Sequence, residues 1–150
     1  MPTYDGKTPT KEANLDYETS VLDTSKITNF SSVFYRCNYI TSLNISHWDV
    51  SNAQTLYIMC YWCPNLTSIN ISNWNVSNVT NMSMMFYECK KLDNESIKSI
   101  CNMCINAVNV TYKNLNPSNR YSPIIYTGKN IANIVDTEIL NKLQLGGWVW

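Results

Sequence analysis

The sequence predicts an α/β protein: a short solenoid of three 26-residue units closed by a helical C-terminal cap. Three observations support this fold class. The chain superposes on itself at a shift of 26 residues, each unit contains an alternating apolar–polar segment, and apolar residues after the last unit recur at helical spacing. A fixed period of this length is typical of solenoids, in which stacked units bury a shared core that one unit could not bury alone.

The repeat is defined by matching residues at equivalent positions of the units, with no insertion between them. The matches are Asp23, Asp49 and Asn75; Tyr35, Tyr61 and Tyr87; Cys37, Cys63 and Cys89; Ile40, Leu66 and Leu92; and Trp48 and Trp74. Equivalent residues should stack about one strand spacing apart, roughly 4.7–4.9 Å. We therefore expect an apolar ladder of Leu22, Trp48 and Trp74 and a thiol ladder of the three cysteines. This architecture is of the leucine-rich-repeat type.

Two periodicities occur within each unit. Apolar residues between Val79 and Cys89, and their equivalents, fall on one face of a helix, which predicts one or two helical turns per unit. In the segment 42–46, apolar and polar residues alternate, which predicts a short, half-buried strand. Each unit should therefore contain a helical turn, a short strand and a return segment that carries a tryptophan.

The repeat divides the chain into an N-terminal arm (1–20), the solenoid (21–93) and a C-terminal cap (94–150). The arm is polar and lacks periodicity, so we expect it either to pack over the first unit or to dock on a partner chain. In the cap, a helix should begin with Asn94 as its N-cap, and a β-prone piece lies around residues 124–126. A last helix should span about Asn130 to Leu143 and stop at Gly146-Gly147.

The chain closes with Trp148-Val149-Trp150. Two interpretations of these tryptophans stay open. Trp148 and Trp150 either cover the open end of the core or form an apolar plug for a partner.

Charge excludes two classes of partner. The chain has 11 basic and 11 acidic residues, a net charge of zero and only 15% charged residues, while Asn, Ser and Thr make up about a third of it. Proteins that bind nucleic acid or an anionic membrane surface carry an excess of basic residues. No apolar run approaches the roughly 20 residues of a transmembrane helix. We therefore expect neither nucleic acid nor a membrane as a partner.

The cysteines and the single histidine do not predict an active site or a metal site. Cys60-Tyr61-Trp62-Cys63 and Cys101-Asn102-Met103-Cys104 are C-x-x-C pairs, but they lie much farther apart than the pairs of a zinc ribbon. Cys60 and Cys63 also occupy apolar positions of the repeat, which favours buried free thiols. His47 is equivalent to Asn73, so we expect a surface role. The sequence therefore predicts no enzyme activity, no metal and no cofactor.

Candidate contact residues are polar residues on the outward strand face and aromatic residues that break the repeat. Asn44 and Asn70 belong to a flat, uncharged strand face that could meet a carbohydrate or a protein, or could simply be solvated. Tyr57 and Trp62 are aromatic where the equivalent residues of the other units are not, and Tyr39 corresponds to Asn65 and Lys91. Because aromatic residues are enriched in binding hot spots, we predict a contact patch of Tyr39, Tyr57 and Trp62.

Several motifs resemble a known family. Leu22-Asp23-Thr24-Ser25, the segment Trp74 to Ser83, and Met85-Phe86-Tyr87-Glu88-Cys89 resemble the BspA-like leucine-rich repeats of bacterial surface proteins, also known as the mycoplasma-type lipoprotein repeat. The resemblance covers about residues 20–95, and the segment 92–107 resembles the helical terminator of such repeats. It implies a non-catalytic binding or display module, as found on cell surfaces and in phage virion proteins, without catalytic residues.

Two localisations follow as hypotheses. The segment Met1-Pro2-Thr3-Tyr4-Asp5 has no features of a secretory signal, and phage particles leave the cell by lysis. We therefore expect a virion component, such as a head-fibre, decoration or tail accessory subunit, within an oligomeric assembly. Its partners would be other virion proteins or a host-surface protein or carbohydrate. The alternative is a bacterial cell-surface adhesin module.

Overall fold

The structure, a computed structural model, describes residues 22–116, 125–126 (backbone only) and 129–150. The predicted N-terminal arm lies outside these residues. The described strands each have two residues: β1 is Ser42–Leu43, β2 is Ser68–Ile69, β3 is Phe86–Tyr87 and β4 is Ile125–Tyr126. The helices are α1 (Asn94–Ile105), a 3-10 helix (Ile131–Asn133) and α2 (Thr137–Leu145). The described part of the chain is thus mixed α/β, with short strands joined by turns.

Backbone pairing joins residues that are 26 apart in sequence. β1 and β2 pair in parallel with Ser42 opposite Ser68, and parallel bridges join Asn29 to Thr55 and Thr55 to Asn81. β3 pairs in parallel with β4, which lies in the C-terminal cap, so this pairing does not follow the 26-residue period. The predicted strands at 42–46 and 68–72 are confirmed in place, although each is only two residues long.

The helical turns predicted within the units are wrong, because no α-helix occurs between residues 22 and 93. The amides there alternate between two kinds of acceptor. The Phe34 amide donates to the Met59 carbonyl of the next unit at 2.8 Å, whereas the Cys37 amide closes a turn onto the Phe34 carbonyl at 3.2 Å. An α-helix requires bonds from each amide to the fourth preceding carbonyl. A run of turns also places apolar residues three and four positions apart, which imitated a helical pattern.

These turns require a left-handed backbone at residues that are not glycine. The φ angles are 64° at Ser32, 54° at Arg36, 49° at Ile58, 56° at Trp62, 56° at Met84 and 62° at Glu88. They fall at two equivalent positions of each unit, four residues apart. Left-handed conformations cost a non-glycine residue roughly 1–2 kcal/mol. In the first two units, the amide of each of these residues donates to a carbonyl of the next unit, which offsets part of this cost.

The abundant Asn, Asp and Ser residues stabilise the remaining turns. Asp49 Oδ1 accepts hydrogen bonds from the Ser51 amide at 2.9 Å and from its hydroxyl at 2.6 Å. Asn75 does the same for Ser77, at 3.1 and 2.7 Å. Short polar side chains that accept a bond from the amide two residues onward are the usual Asx turns. The pKa of Asp49 is lowered by these bonds from Ser51.

The core is a single cluster in which equivalent aromatic residues stack. The Trp48 and Trp74 rings lie 6.5 Å apart and nearly parallel, but Leu22 is 36% exposed and does not extend this stack as a buried residue. Trp74 Nε1 donates to the Ile45 carbonyl at 3.0 Å. Trp48 Nε1 is buried and has no hydrogen-bond partner among the described residues. The two tryptophans therefore differ in polar pairing although they pack alike.

Helix α1 confirms the predicted cap helix, with one correction at its start. Its N-cap is Asp93 rather than Asn94, because the Asp93 carboxylate accepts a hydrogen bond from the Ser96 amide at 2.8 Å. A carboxylate at this position satisfies a free helix amide and is favoured by the helix dipole. The helix buries Ile97, Ile100 and their neighbours against the core.

The last predicted helix is divided in two. The segment around 131–133 forms a 3-10 helix, and α2 begins only after Asp136, whose carboxylate accepts from the Ile139 amide at 2.9 Å. A second capping residue within the predicted span thus starts a separate helix. The predicted stop is confirmed, since Gly146 is the C-cap of α2 and Gly147 has a φ of 87°.

Candidate functional site

Three tyrosines at equivalent positions form a stack on the surface. The Tyr35 and Tyr61 rings lie 5.2 Å apart with planes 9° from parallel, and the Tyr61 and Tyr87 rings lie 5.1 Å apart at 8°. Tyr35 is 44% exposed, while Tyr61 and Tyr87 are half-buried. The stack follows from the hydrogen bonds between units, which hold the Arg36 amide 2.8 Å from the Tyr61 carbonyl. These rings lie outside the core cluster.

Trp62 and Arg36 extend the tyrosine stack sideways. The Trp62 ring is 39% exposed and lies 6.2 Å from the Tyr61 ring at a tilt of 38°. The Arg36 guanidinium lies 5.9 Å from the Tyr35 ring centroid and 5.8 Å from that of Trp62. Cation–π contacts of this length hold an arginine head group against aromatic rings. Tyr35, Arg36, Tyr61, Trp62 and Tyr87 thus form one contiguous surface, which we call the aromatic face.

The predicted contact patch is only partly brought together. Trp62 joins the aromatic face, whereas Tyr39 and Tyr57 are exposed (48% and 39%) without a ring contact to another aromatic residue of the described chain. Tyr35, Tyr61, Tyr87 and Arg36 were not predicted as contact residues. The recurrence of tyrosine at a position that is not buried was a signal that could have identified the stack.

The other predicted contact residues divide between surface and core. Asn44 and Asn70 are exposed, but Asn70 also shapes a turn, because its Oδ1 accepts from the Ser72 amide at 3.2 Å. Trp148 is only 3% exposed and belongs to the core, which favours the interpretation that it covers the open end of the core over that of an apolar plug for a partner. Trp150 is partly buried and packs against the same core.

Five of the six thiols have a raised pKa. Burial raises the pKa of Cys37 to about 11 and that of Cys101 to about 12, and it raises the pKa values of Cys60 and Cys104 well above 9.0. A hydrogen bond with Cys89, together with burial, raises the pKa of Cys63. The thiolate is the nucleophile and the metal ligand, and this form is disfavoured here.

The part of the chain that the structure describes offers neither a metal site nor a membrane-spanning helix. There, no group of three or more His, Cys, Asp or Glu residues could hold a metal ion. No helix among the same residues has the length and apolarity needed to cross a bilayer. The aromatic face presents aromatic rings, phenolic hydroxyls and a guanidinium, which are groups suited to recognition.

Fold and surface together define a small, mixed α/β protein with an exposed, stacked aromatic face. A family model described as "Mycoplasma protein of unknown function, DUF285" matches residues 7–121, and the chain belongs to this family. The match crosses the boundary at residue 93 between the predicted solenoid and the predicted cap. No curated protein and no solved structure matches the chain.

Proposed function

We propose that the chain is a non-catalytic binding module that contacts a protein partner through the aromatic face. Its fold in this proposal is a short leucine-rich-repeat-like solenoid of the BspA-like type with a helical C-terminal cap. The pairing of residues 26 apart supports the solenoid, and membership in the matched family is compatible with the BspA-like resemblance.

The observation that carries the binding proposal is the composition of the aromatic face. Tyr, Trp and Arg are the residues most enriched in binding hot spots. Here Trp62 and Arg36 are held in mutual contact on the surface, which limits the entropy that ordering them would cost on binding. Core packing does not demand either residue, because their equivalent in the third unit is Glu88.

The proposed setting is a virion, with the chain as a head-fibre, decoration or tail accessory subunit. The alternative is a bacterial cell-surface adhesin module. The zero net charge of the chain is compatible with either setting. Mass spectrometry separates them, since the chain would be found in purified phage particles in the first case and in the cell envelope in the second.

The binding proposal is tested by substituting Trp62. We expect Trp62→Ala to weaken retention of the chain on the particle or envelope in which it is found by about thirtyfold, since a hot-spot residue contributes roughly 2 kcal/mol or more. Tyr112→Ala is the matched control, because Tyr112 is an aromatic residue 62% exposed outside the aromatic face. Equal retention of the two variants would contradict the proposal.

A further inference from the structure

A second surface, separate from the aromatic face, is an open polar groove of about 580 Å³. It is lined by six side chains from two equivalent positions of each unit: Lys26, Thr28, Asn52, Gln54, Asn78 and Thr80. All six are exposed. Five are uncharged hydrogen-bonding groups, and none is apolar or acidic.

The lining residues form a grid with two columns. Asn52 and Gln54 flank the buried Ala53, and Asn78 and Thr80 flank the buried Val79, so both members of each pair face solvent. Within a unit the two columns are two residues apart along the chain, and between units paired segments lie about 4.7–4.9 Å apart. The groove therefore presents donors and acceptors at two regular spacings.

Part of this grid is held rigid before any ligand arrives. Asn52 Nδ2 donates to the Ser25 carbonyl at 2.6 Å, and Asn78 Nδ2 donates to the Ser51 carbonyl at 2.8 Å. These bonds fix the orientation of both amides and hence the direction of their Oδ1 acceptors. Acceptors that are already ordered lose little entropy on binding.

The chemistry of the groove excludes several ligand classes. Lys26 is the single cation of the lining, and one cation cannot neutralise the several phosphates of a nucleic-acid backbone. A lining without apolar side chains does not suit a lipid or an aromatic cofactor. Strand addition by a peptide needs free backbone groups. Here the Gln54 amide donates to the Thr28 carbonyl at 2.8 Å, and the Thr80 amide donates to the Gln54 carbonyl at 2.9 Å.

We propose that this groove is a binding site for a neutral oligosaccharide. Sugar hydroxyls both donate and accept hydrogen bonds, as do the hydroxyl and amide side chains that line the groove. An oligosaccharide carries such hydroxyls at short, regular intervals, which suits a grid of uncharged partners. The inference is independent of the aromatic face, since the two surfaces share no residue.

The test is saturation-transfer NMR and calorimetry of the whole chain with neutral gluco-, manno-, galacto- and N-acetylglucosamine oligosaccharides at millimolar concentration. We expect one or more of them to bind, with affinity unchanged between 50 and 500 mM salt. Gln54→Ala should weaken that binding about tenfold, the effect of one hydrogen bond worth roughly 1.4 kcal/mol. Gln144→Ala on α2 is the matched control and should bind like the unmodified chain.

Three results would overturn the proposal. One is the absence of binding to every neutral oligosaccharide by a chain whose circular dichroism and unfolding transition show that it is folded. Another is equal affinity of Gln54→Ala and Gln144→Ala. The third is binding only of acidic sugars, lost in Lys26→Ala and at high salt, which would replace the neutral ligand by an anionic one.

Discussion

The hydroxyl of Ser96 on helix α1 accepts a hydrogen bond from the backbone amide of Ile69 at 2.9 Å and donates to the Thr67 carbonyl at 3.2 Å. Ser99, one helical turn later, accepts from the Ile71 amide at 3.3 Å and donates to the Ile69 carbonyl at 3.2 Å. A strand edge presents unpaired amides and carbonyls that must be covered or paired. Two serine hydroxyls on one helix face thus form hydrogen bonds with the backbone amides and carbonyls at the edge of β2 and beside it.

Ser96→Ala is expected to lower the free energy of unfolding by about 1–3 kcal/mol, because it leaves the buried Ile69 amide without an acceptor. Urea denaturation followed by circular dichroism measures the change. Ser42→Ala, at an exposed position of β1, is the matched control and should change the free energy of unfolding by less than about 0.5 kcal/mol. If both variants unfold at the same urea concentration, the hydroxyl does not cap the strand.

The two core tryptophans should respond differently to the same substitution. Trp74→Phe removes the donor that pairs with the Ile45 carbonyl, whereas Trp48→Phe removes a buried N–H that has no partner among the described residues. Both substitutions remove the same ring volume. The difference in stability between the two variants therefore comes from the hydrogen bond of the indole N–H. We expect Trp74→Phe to destabilise the chain by about 1–3 kcal/mol more than Trp48→Phe, measured by chemical denaturation. Equal losses would show that Trp48 Nε1 is also paired in solution.

Ser32→Gly is expected to stabilise the chain relative to Ser32→Ala. The φ of Ser32 is 64°, a conformation that glycine adopts without the steric cost of a Cβ atom. The gain should be about 1 kcal/mol, since glycine also raises the entropy of the unfolded chain. A difference in melting temperature between the two variants reports the effect. Ser32→Val should melt lowest, and a valine variant as stable as the glycine one would contradict the left-handed backbone.

The repeat predicted which equivalent residues pair between units, but it predicted neither the local backbone nor contacts made outside the repeat. The 26-residue shift correctly predicted which residues pair, as with Ser42 and Ser68. The helical turns were wrong because apolar spacing does not distinguish a helix from successive turns, and no glycine marked the left-handed position at Ile58. Capping of β2 by Ser96 could not be predicted, since it depends on how α1 docks against the strand.

At the candidate site, a residue that departs from the repeat was predicted, and residues that conform to the repeat were missed. Trp62 was identified because it departs from the repeat, and it lies on the aromatic face. The tyrosine stack was missed because Tyr61 conforms to the repeat, whereas the aromatic candidates were chosen for departing from it. The exposure of Tyr61 depends on which side of its turn faces solvent. The wrong prediction of helical turns did not reveal that side.

High pH should destabilise the chain through its buried thiols. An unfolded cysteine titrates near 9.0, whereas burial raises the folded pKa of Cys37 to about 11 and that of Cys101 to about 12. A raised folded pKa means that the stabilisation is complete below pH 9 and is lost as the pH rises through 11 and 12, because only the unfolded chain readily forms thiolates. Urea midpoints at pH 7.5 and 10.5 measure this loss. Between these two pH values, the urea midpoint of Cys101→Ala should fall less than that of the unmodified chain. This comparison separates the contribution of the thiol from that of other groups that ionise at high pH.

The same burial predicts how the thiols react. At pH 8 a thiol-specific chromogenic reagent should label none of them rapidly in the folded chain, because reaction requires the exposed thiolate. In denaturant all six cysteines of the sequence should be labelled, provided that none is paired. Cys37 is the half-buried member of the set, so it should be the first to react in the folded chain as the pH approaches its pKa of about 11. Rapid labelling of Cys60 or Cys104 at pH 8 would mean that the core opens locally, since both are fully enclosed in the folded chain.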